Sequence, residues 1–193
     1  AAQQLAHALT ALHASEMRMF GLDGGRGRVI VEAPANTENV HEAQVSADGR
    51  FVYYTEKVTG PSASRVYIDA NHANYAIRRR EIATGQVEEM VRGFGGATSP
   101  ALSRDGRKLA FTTVVQPTAT TPKAAAGQQD VWTVDGDGGN KHRLTDGNGT
   151  NLQPSWAADN RVYFVSNRGG NESIWSVRAD AVDTFSASAG KAT

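Results

Sequence analysis

The chain has 193 residues, with twenty Lys and Arg against twenty Asp and Glu, a formal net charge of zero, and no cysteine. Balanced charge argues against a nucleic-acid partner, since such binders carry a clear basic excess, and the lack of thiols removes disulfides, thiolate nucleophiles and Cys-type zinc clusters. No apolar run approaches the roughly 20 residues that a membrane-crossing helix needs, so no membrane insertion is expected.

Taken in order, residues 1–15 place Leu5, Leu9 and Leu12 at helical spacing and predict a short amphipathic helix or extension. They show neither a basic start nor a continuous apolar stretch, so no signal peptide is read there. From Glu16 onward, helical periodicity gives way to short alternating strands punctuated by Gly and Asp, the pattern of an all-β chain. The strands Glu16–Phe20 and Arg28–Val31 flank the turn Asp23-Gly24-Gly25.

Three segments then repeat around an aspartate: Val45-Ser46-Ala47-Asp48-Gly49-Arg50, Leu102-Ser103-Arg104-Asp105-Gly106-Arg107 and Trp156-Ala157-Ala158-Asp159-Asn160-Arg161. Each leads into an alternating strand, and the aspartates lie 57 and 54 residues apart. Asp-Gly or Asp-Asn supplies the left-handed backbone that a tight hairpin requires. A second hairpin follows in each repeat: Tyr75–Arg80 turning at Thr84-Gly85 into Val87–Val91, then Asp130–Val134 turning at Asp137-Gly138-Gly139 into His142–Thr145. In the last repeat Ser173–Val177 is the third strand and the pattern stops.

With the strands of a repeat named a to d, the chain reads c-d, a-b-c-d, a-b-c-d, a-b-c. These thirteen strands make about three and a quarter blades of a β-propeller. The layout is an N-terminal extension over 1–15, a partial propeller over 16–178 and an Ala- and Ser-rich linker or tail over 179–193. The ends do not complement one another, so the ring is expected to belong to something larger.

Pro154-Ser155-Trp156-Ala157-Ala158-Asp159-Asn160-Arg161-Val162-Tyr163-Phe164-Val165-Ser166-Asn167-Arg168-Gly169-Gly170 resembles the repeat of the TolB-like propellers. Ser99–Phe111 and Asp130–Thr145 resemble it too, over roughly Val40 to Val177, with Asn160 and Asn167 departing from the usual Gly and Asp. The resemblance implies a non-catalytic module for protein–protein interaction or assembly in the periplasm or cell envelope. An alternative it also implies is the propeller portion of a larger hydrolase, a prolyl-oligopeptidase-like peptidase or an amidohydrolase, gating a catalytic domain outside this chain.

Catalytic residues are not expected. There is no Gly-x-Ser-x-Gly elbow, no His-Glu-x-x-His pattern, and the five histidines are scattered. Asp135-Gly136-Asp137-Gly138-Gly139-Asn140 departs from an EF-hand loop at positions five and six, so no metal and no cofactor are expected. Adjacent Glu88 and Glu89 should point to opposite faces of a strand, and Trp132, Trp156 and Trp175 read as aromatics packed between blades. The a-b and c-d turns are short, whereas the b-c connections Lys57–Asn74 and Val114–Gln128 are long. Loops held on a rigid scaffold carry function more often than tight turns. The candidate binding residues are therefore Arg65, Tyr67, Asp69, Asn71 and His72 in the first long connection, facing a protein partner.

Overall fold

The computed structural model describes residues 16–32, 40–57, 75–92, 96–114 and 128–180. The predicted helix over 1–15, the five candidate binding residues and most of the tail lie outside them. Thirteen strands follow one another: β1 (Glu16–Gly21), β2 (Gly24–Glu32), β3 (Val40–Val45), β4 (Phe51–Lys57), β5 (Tyr75–Glu81), β6 (Val87–Arg92), β7 (Ala97–Leu102), β8 (Lys108–Val114), β9 (Gln129–Asp135), β10 (His142–Arg143), β11 (Asn151–Trp156), β12 (Arg161–Ser166) and β13 (Ser173–Arg178). They form a two-stranded sheet β1-β2, four-stranded sheets β3-β4-β5-β6 and β7-β8-β9-β10, and a three-stranded sheet β11-β12-β13. All pairs are antiparallel. This is the c-d, a-b-c-d, a-b-c-d, a-b-c order expected from the repeat, and the four sheets are called blades 1 to 4 below.

A lone blade cannot bury both faces of its sheet, so blades are stabilised by stacking. Strand β7 lies against β3, β4 and β5 of the blade before it, and β11 lies against β7, β8 and β9. Each strand a thus crosses the face of the preceding blade. Between blades 2 and 3 the core holds Tyr53, Ile77 and Met90 against Leu109, Phe111 and Val134, with Trp132 packed beside them. Between blades 3 and 4 small residues on one side, Ala101 and Ala110, receive large ones from the other, Phe164, Trp156 and Trp175. Ile30 and Val31 of blade 1 meet Val52 and Tyr54 of blade 2, and burial pushes the Tyr54 hydroxyl up to about 12. The three tryptophans are interblade aromatics, as their strand positions predicted.

Two irregularities recur at fixed register. Each strand a has a bulge at its third residue, where Glu42, Ser99 and Gln153 take φ of 57°, 56° and 50°. Left-handed backbone is uncommon for such residues, so their appearance at one site in three blades marks a property of the repeat. A second bulge, in strand d, sets Ile30 beside Val31 and Met90 beside Val91 with both members of each pair buried.

The Asp turns correct the sequence alignment at one point. Ser46 N–H donates to Phe51 O and Ser103 N–H to Lys108 O, both at 2.9 Å, whereas Ala157 N–H donates to Arg161 O. The third turn is one residue shorter, so Arg161 stands where Lys108 does and Val162 where Leu109 does. In the longer turns the serine hydroxyl accepts from the N–H of Phe51 at 3.0 Å or of Lys108 at 2.9 Å. Ala157 has no hydroxyl to bridge the extra residue.

Candidate interaction rim

An antiparallel blade puts its a-b and c-d turns on one rim and its b-c and d-a connections on the other. On the tight-turn rim, carboxylates are consumed by the turns themselves. The hydroxyl of Ser46 donates to Asp48 at 2.6 Å and that of Ser103 to Asp105 at 2.7 Å, while the N–H groups of Arg50 and Arg107 donate to the same oxygens. Those hydroxyl donors, then the backbone donors, hold both aspartates below the ordinary carboxylate range. Glu81 is held down by the Thr84 hydroxyl and then Arg50, and Asp135 by the Asn140 amide and then Lys108. Two shallow depressions open on this side, of about 220 Å³ around Arg79 and Glu88 and about 530 Å³ beside Arg104 and Trp156. The charges of the smaller one are already spent, Arg79 being paired with Glu88.

The long-connection rim is built differently. At its centre is Asp130, the second residue of β9, whose side chain is wholly buried. Its Oδ1 accepts from the Thr145 hydroxyl at 2.6 Å, from Asn151 Nδ2 at 2.8 Å and from Gly147 N–H at 3.1 Å. Its Oδ2 accepts from Arg143 Nε at 2.7 Å and also from the Nη2 of the same guanidinium. A buried carboxylate persists only when paired and fully hydrogen-bonded, and these donors come from strand d, the d-a connection and the next blade's strand a. One carboxylate therefore ties blade 3 to blade 4 at the rim.

The surrounding groups extend that frame. Asn151 Oδ1 accepts from Arg168 Nη2 at 2.9 Å, and the same guanidinium reaches Asp146 at 3.6 Å. It also stacks over Phe164 and Trp175, 5.3 and 5.4 Å from their ring centroids. Thr150 N–H donates to Asn167 Oδ1 at 2.8 Å. The connection from Asp146 to Thr150 is thus fixed at both ends, with Asn148 at its tip. In blade 2 the same rim carries His41, edge-on to Tyr75 at 5.2 Å and 3.4 Å from Glu42, and Arg78 between Glu56 and Glu89.

Glu42 works inward from this rim. Its carboxylate accepts from the Thr55 hydroxyl at 2.8 Å within blade 2, and from Ser99 N–H at 2.6 Å and Ser99 Oγ at 2.8 Å in blade 3. The bulge of one strand a is held by the bulge residue of its neighbour.

Glu88 and Glu89 point to opposite faces, Glu88 to Arg79 and Glu89 to Arg78 and Arg92. Among the described residues no group of three or more His, Asp or Glu is arranged to hold a metal, and no helix is long and apolar enough to cross a membrane. Asp130 and Glu42 were not singled out by sequence reasoning. The available signal was the register itself, which puts Asp130 where blades 2 and 4 have Ala76 and Ser173.

Comparison with known proteins accords with this architecture. A solved structure of a putative TolB from Agrobacterium tumefaciens is similar to the chain with a TM-score of 0.65 at 21% identity, covering 90% of this chain and 56% of that one. TolB from Acinetobacter baumannii matches with a TM-score of 0.66 at 18% identity, over 86% of this chain and 36% of that one. An uncharacterized protein of Agrobacterium fabrum is 44% identical over 52 residues, 26% of this chain and 18% of that protein. The chain spans little more than half of the longer-matched TolB structure and a smaller share of the other two. The fold is a TolB-like β-propeller, and the family model described as the lipoprotein LpqB β-propeller domain matches residues 78–190, so the chain belongs to that family.

Proposed function

We propose that the chain is a non-catalytic propeller module that binds a protein partner through its long-connection rim, at the cell envelope. The observation that carries this reading is the contrast between the rims. Carboxylates of the tight turns are satisfied within their own blade, whereas the other rim presents Asn148 and the edges of Asp146 and Arg168 on a frame locked by buried Asp130. A pre-organised polar rim loses little entropy on binding. The connection holding Arg65, Tyr67, Asp69, Asn71 and His72 joins Lys57 to Tyr75, two strand ends on the same side. Placement at the envelope rests on the lipoprotein named in the family description and on the likeness to TolB.

Photo-crosslinking tests the reading directly. A benzoylphenylalanine at Asn148 should give a discrete protein adduct in cells, and one at Arg104 on the opposite rim should give none. Adducts at Arg104 alone, or at both sites equally, would overturn it.

A further inference from the structure

A glycine that follows an acidic or amide side chain carries a hazard along with its turn-forming use. Without a Cβ on the next residue, the backbone nitrogen closes readily on the side-chain carbonyl carbon before it, and asparagine is among the thermolabile residues. The chain holds six Asp-Gly pairs and one Asn-Gly pair, Asn148-Gly149. Five of the Asp-Gly pairs lie in blades 2 to 4 or their connections, and in all five the glycine N–H is occupied. Gly49 donates to Ser46 O and Gly106 to Ser103 O at 2.9 Å, Gly136 to Arg107 O at 2.7 Å and Gly138 to Asp135 O at 2.8 Å. Gly147 donates to the buried Asp130 Oδ1 at 3.1 Å. A nitrogen whose proton is held in a hydrogen bond is withheld from attack.

Asn148-Gly149 is built the other way. Among the described residues no group accepts from the Gly149 N–H, and none pairs with the Asn148 side-chain amide. Asn148 is exposed, and its own N–H donates to Asp146 Oδ1 at 3.1 Å. No bulkier residue can take the place of Gly149 and shield the pair. Its φ is +77°, and a Cβ there would lie 2.5 Å from Asn167 Oδ1 and 2.9 Å from the Arg168 backbone nitrogen. The fold therefore requires this glycine and leaves its nitrogen open, while the glycine two residues earlier is protected.

We infer that Asn148 is a self-modification site, where the folded chain converts the amide to aspartate or isoaspartate. The Gly149 nitrogen loses its proton to hydroxide and bonds to Asn148 Cγ. The Cγ–Nδ2 bond breaks and ammonia leaves, its third hydrogen taken from water. Water then opens the five-membered imide. Opening at Cγ gives aspartate, and opening at the main-chain carbonyl gives isoaspartate, with one more carbon in the backbone. Both products place a carboxylate two residues from Asp146. Isoaspartate also lengthens a span pinned by Gly147 N–H on Asp130 and by Thr150 N–H on Asn167 Oδ1 at 2.8 Å, so it loosens one of the two pins. Asn148 is the tip of the rim proposed to hold a protein partner, and, resting on that reading, the modification retires the binding face as the chain ages.

The test is to age the folded 193-residue chain at neutral and at mildly alkaline pH and to map its peptides by mass spectrometry, with fragmentation that separates aspartate from isoaspartate. Conversion at Asn148 should be about tenfold faster than at Asn140, Asn151, Asn160, Asn167 or Asn171, each followed by a residue with a side chain. It should quicken with pH, and Asp146 should yield no isoaspartate. In urea, with the hydrogen bonds to the glycine N–H groups gone, the Asp-Gly pairs should begin to isomerise as well. Asn148→Gln should abolish conversion at this position and, because the side chain has no partner, keep the wild-type amide exchange. The isoaspartyl fraction of the aged wild type should exchange faster at Gly147 or Thr150, whereas Asn148→Asp should not. Retention of the Asn148 amide in the folded chain would overturn the inference. Isoaspartate forming as fast at Asp146 would do the same, since the open Gly149 N–H would then not be the cause. Unchanged exchange at both pins would overturn the claimed effect on the rim. None of these readouts involves a partner, so their failure is distinct from a failed crosslink.

Discussion

The two rims of this propeller spend their polar residues in different ways. On the tight-turn rim the carboxylates are satisfied within one blade: Asp48 and Asp105 by Ser46, Ser103 and the following N–H groups, and Glu81 and Asp135 also by Arg50 and Lys108 of the neighbouring hairpin. On the long-connection rim Asp130 gathers donors from Arg143, Thr145, Gly147 and Asn151, reaching 21 residues along the chain and across a blade junction. Local turns are repeated because every blade needs them. Among the described residues each of two junctions has its own carboxylate tie, the Asp130 hub between blades 3 and 4 and Glu42 between blades 2 and 3, built from different residues, and such long-range devices are where a repeat acquires individuality.

The largest effect is expected at that hub. Asp130→Ala leaves the Gly147 N–H and the Thr145 hydroxyl without their acceptor and the Arg143 guanidinium unpaired. The buried donors left unsatisfied cost about 1–3 kcal/mol each, while Arg143, with its side chain 32% exposed, can turn to water, and urea denaturation should show a loss of that order. The damage should be regional. Amide exchange should accelerate from Thr145 to Asn151 while Ile77 and Phe111, buried between blades 2 and 3, keep their protection. Uniform loss of protection would mean that the hub serves the whole stack and that the contrast between rims is not one of reach.

Much of the fold was legible because propeller blades announce themselves twice. Asp48, Asp105 and Asp159 mark the turns, and alternation in segments such as Phe51–Tyr54 and Val162–Val165 marks the strands, so all thirteen strands fall in the expected order. The one-residue shortening at Ala157 was not legible, because Asp159-Asn160-Arg161 imitates Asp105-Gly106-Arg107 and it takes the backbone pairing, Ala157 N–H to Arg161 O and Arg161 opposite Arg178, to reveal the shift. The bulges at Glu42, Ser99 and Gln153 share no residue type, so composition could not expose them. Asp130 was hidden for a related reason: its partners are far apart in sequence and become a set only when strand c, strand d and the next strand a converge. The candidate residues from Arg65 to His72 lie outside the described chain and stand as a proposal.

A smaller effect separates backbone demand from side-chain chemistry on the tight-turn rim. Gly106 has φ of +69°, and a Cβ there would meet nothing within 4 Å. Gly106→Ala therefore suffers only the left-handed backbone penalty, about 1 kcal/mol. Asn160 holds the same place with φ of 62°, and Asn160→Gly should change stability by less than about 0.5 kcal/mol. Thermal melts of the two variants, compared with wild type, check both values. A large loss in Asn160→Gly would mean that its side chain does more than tolerate the turn.

The smallest effect, and the most direct probe of local satisfaction, is in a titration. The Ser103 hydroxyl is the first cause of the depressed Asp105 carboxyl, followed by the Arg107 N–H. A carboxyl whose folded-state value is depressed stabilises the fold above its unfolded-state value, and that contribution is lost as the pH falls through the folded-state value. Ser103→Ala should therefore move Asp105 upward, towards the ordinary aspartate range, in a carboxyl-carbon NMR titration. Asp48 keeps its own donor in Ser46 at 2.6 Å and serves as the internal reference, remaining low in the same sample. If Asp105 stayed low without the hydroxyl, the backbone N–H alone would suffice. Ala157, which replaces that serine in the shorter turn, would then owe its tolerance to the backbone pattern rather than to the lost residue between Asn160 and Arg161.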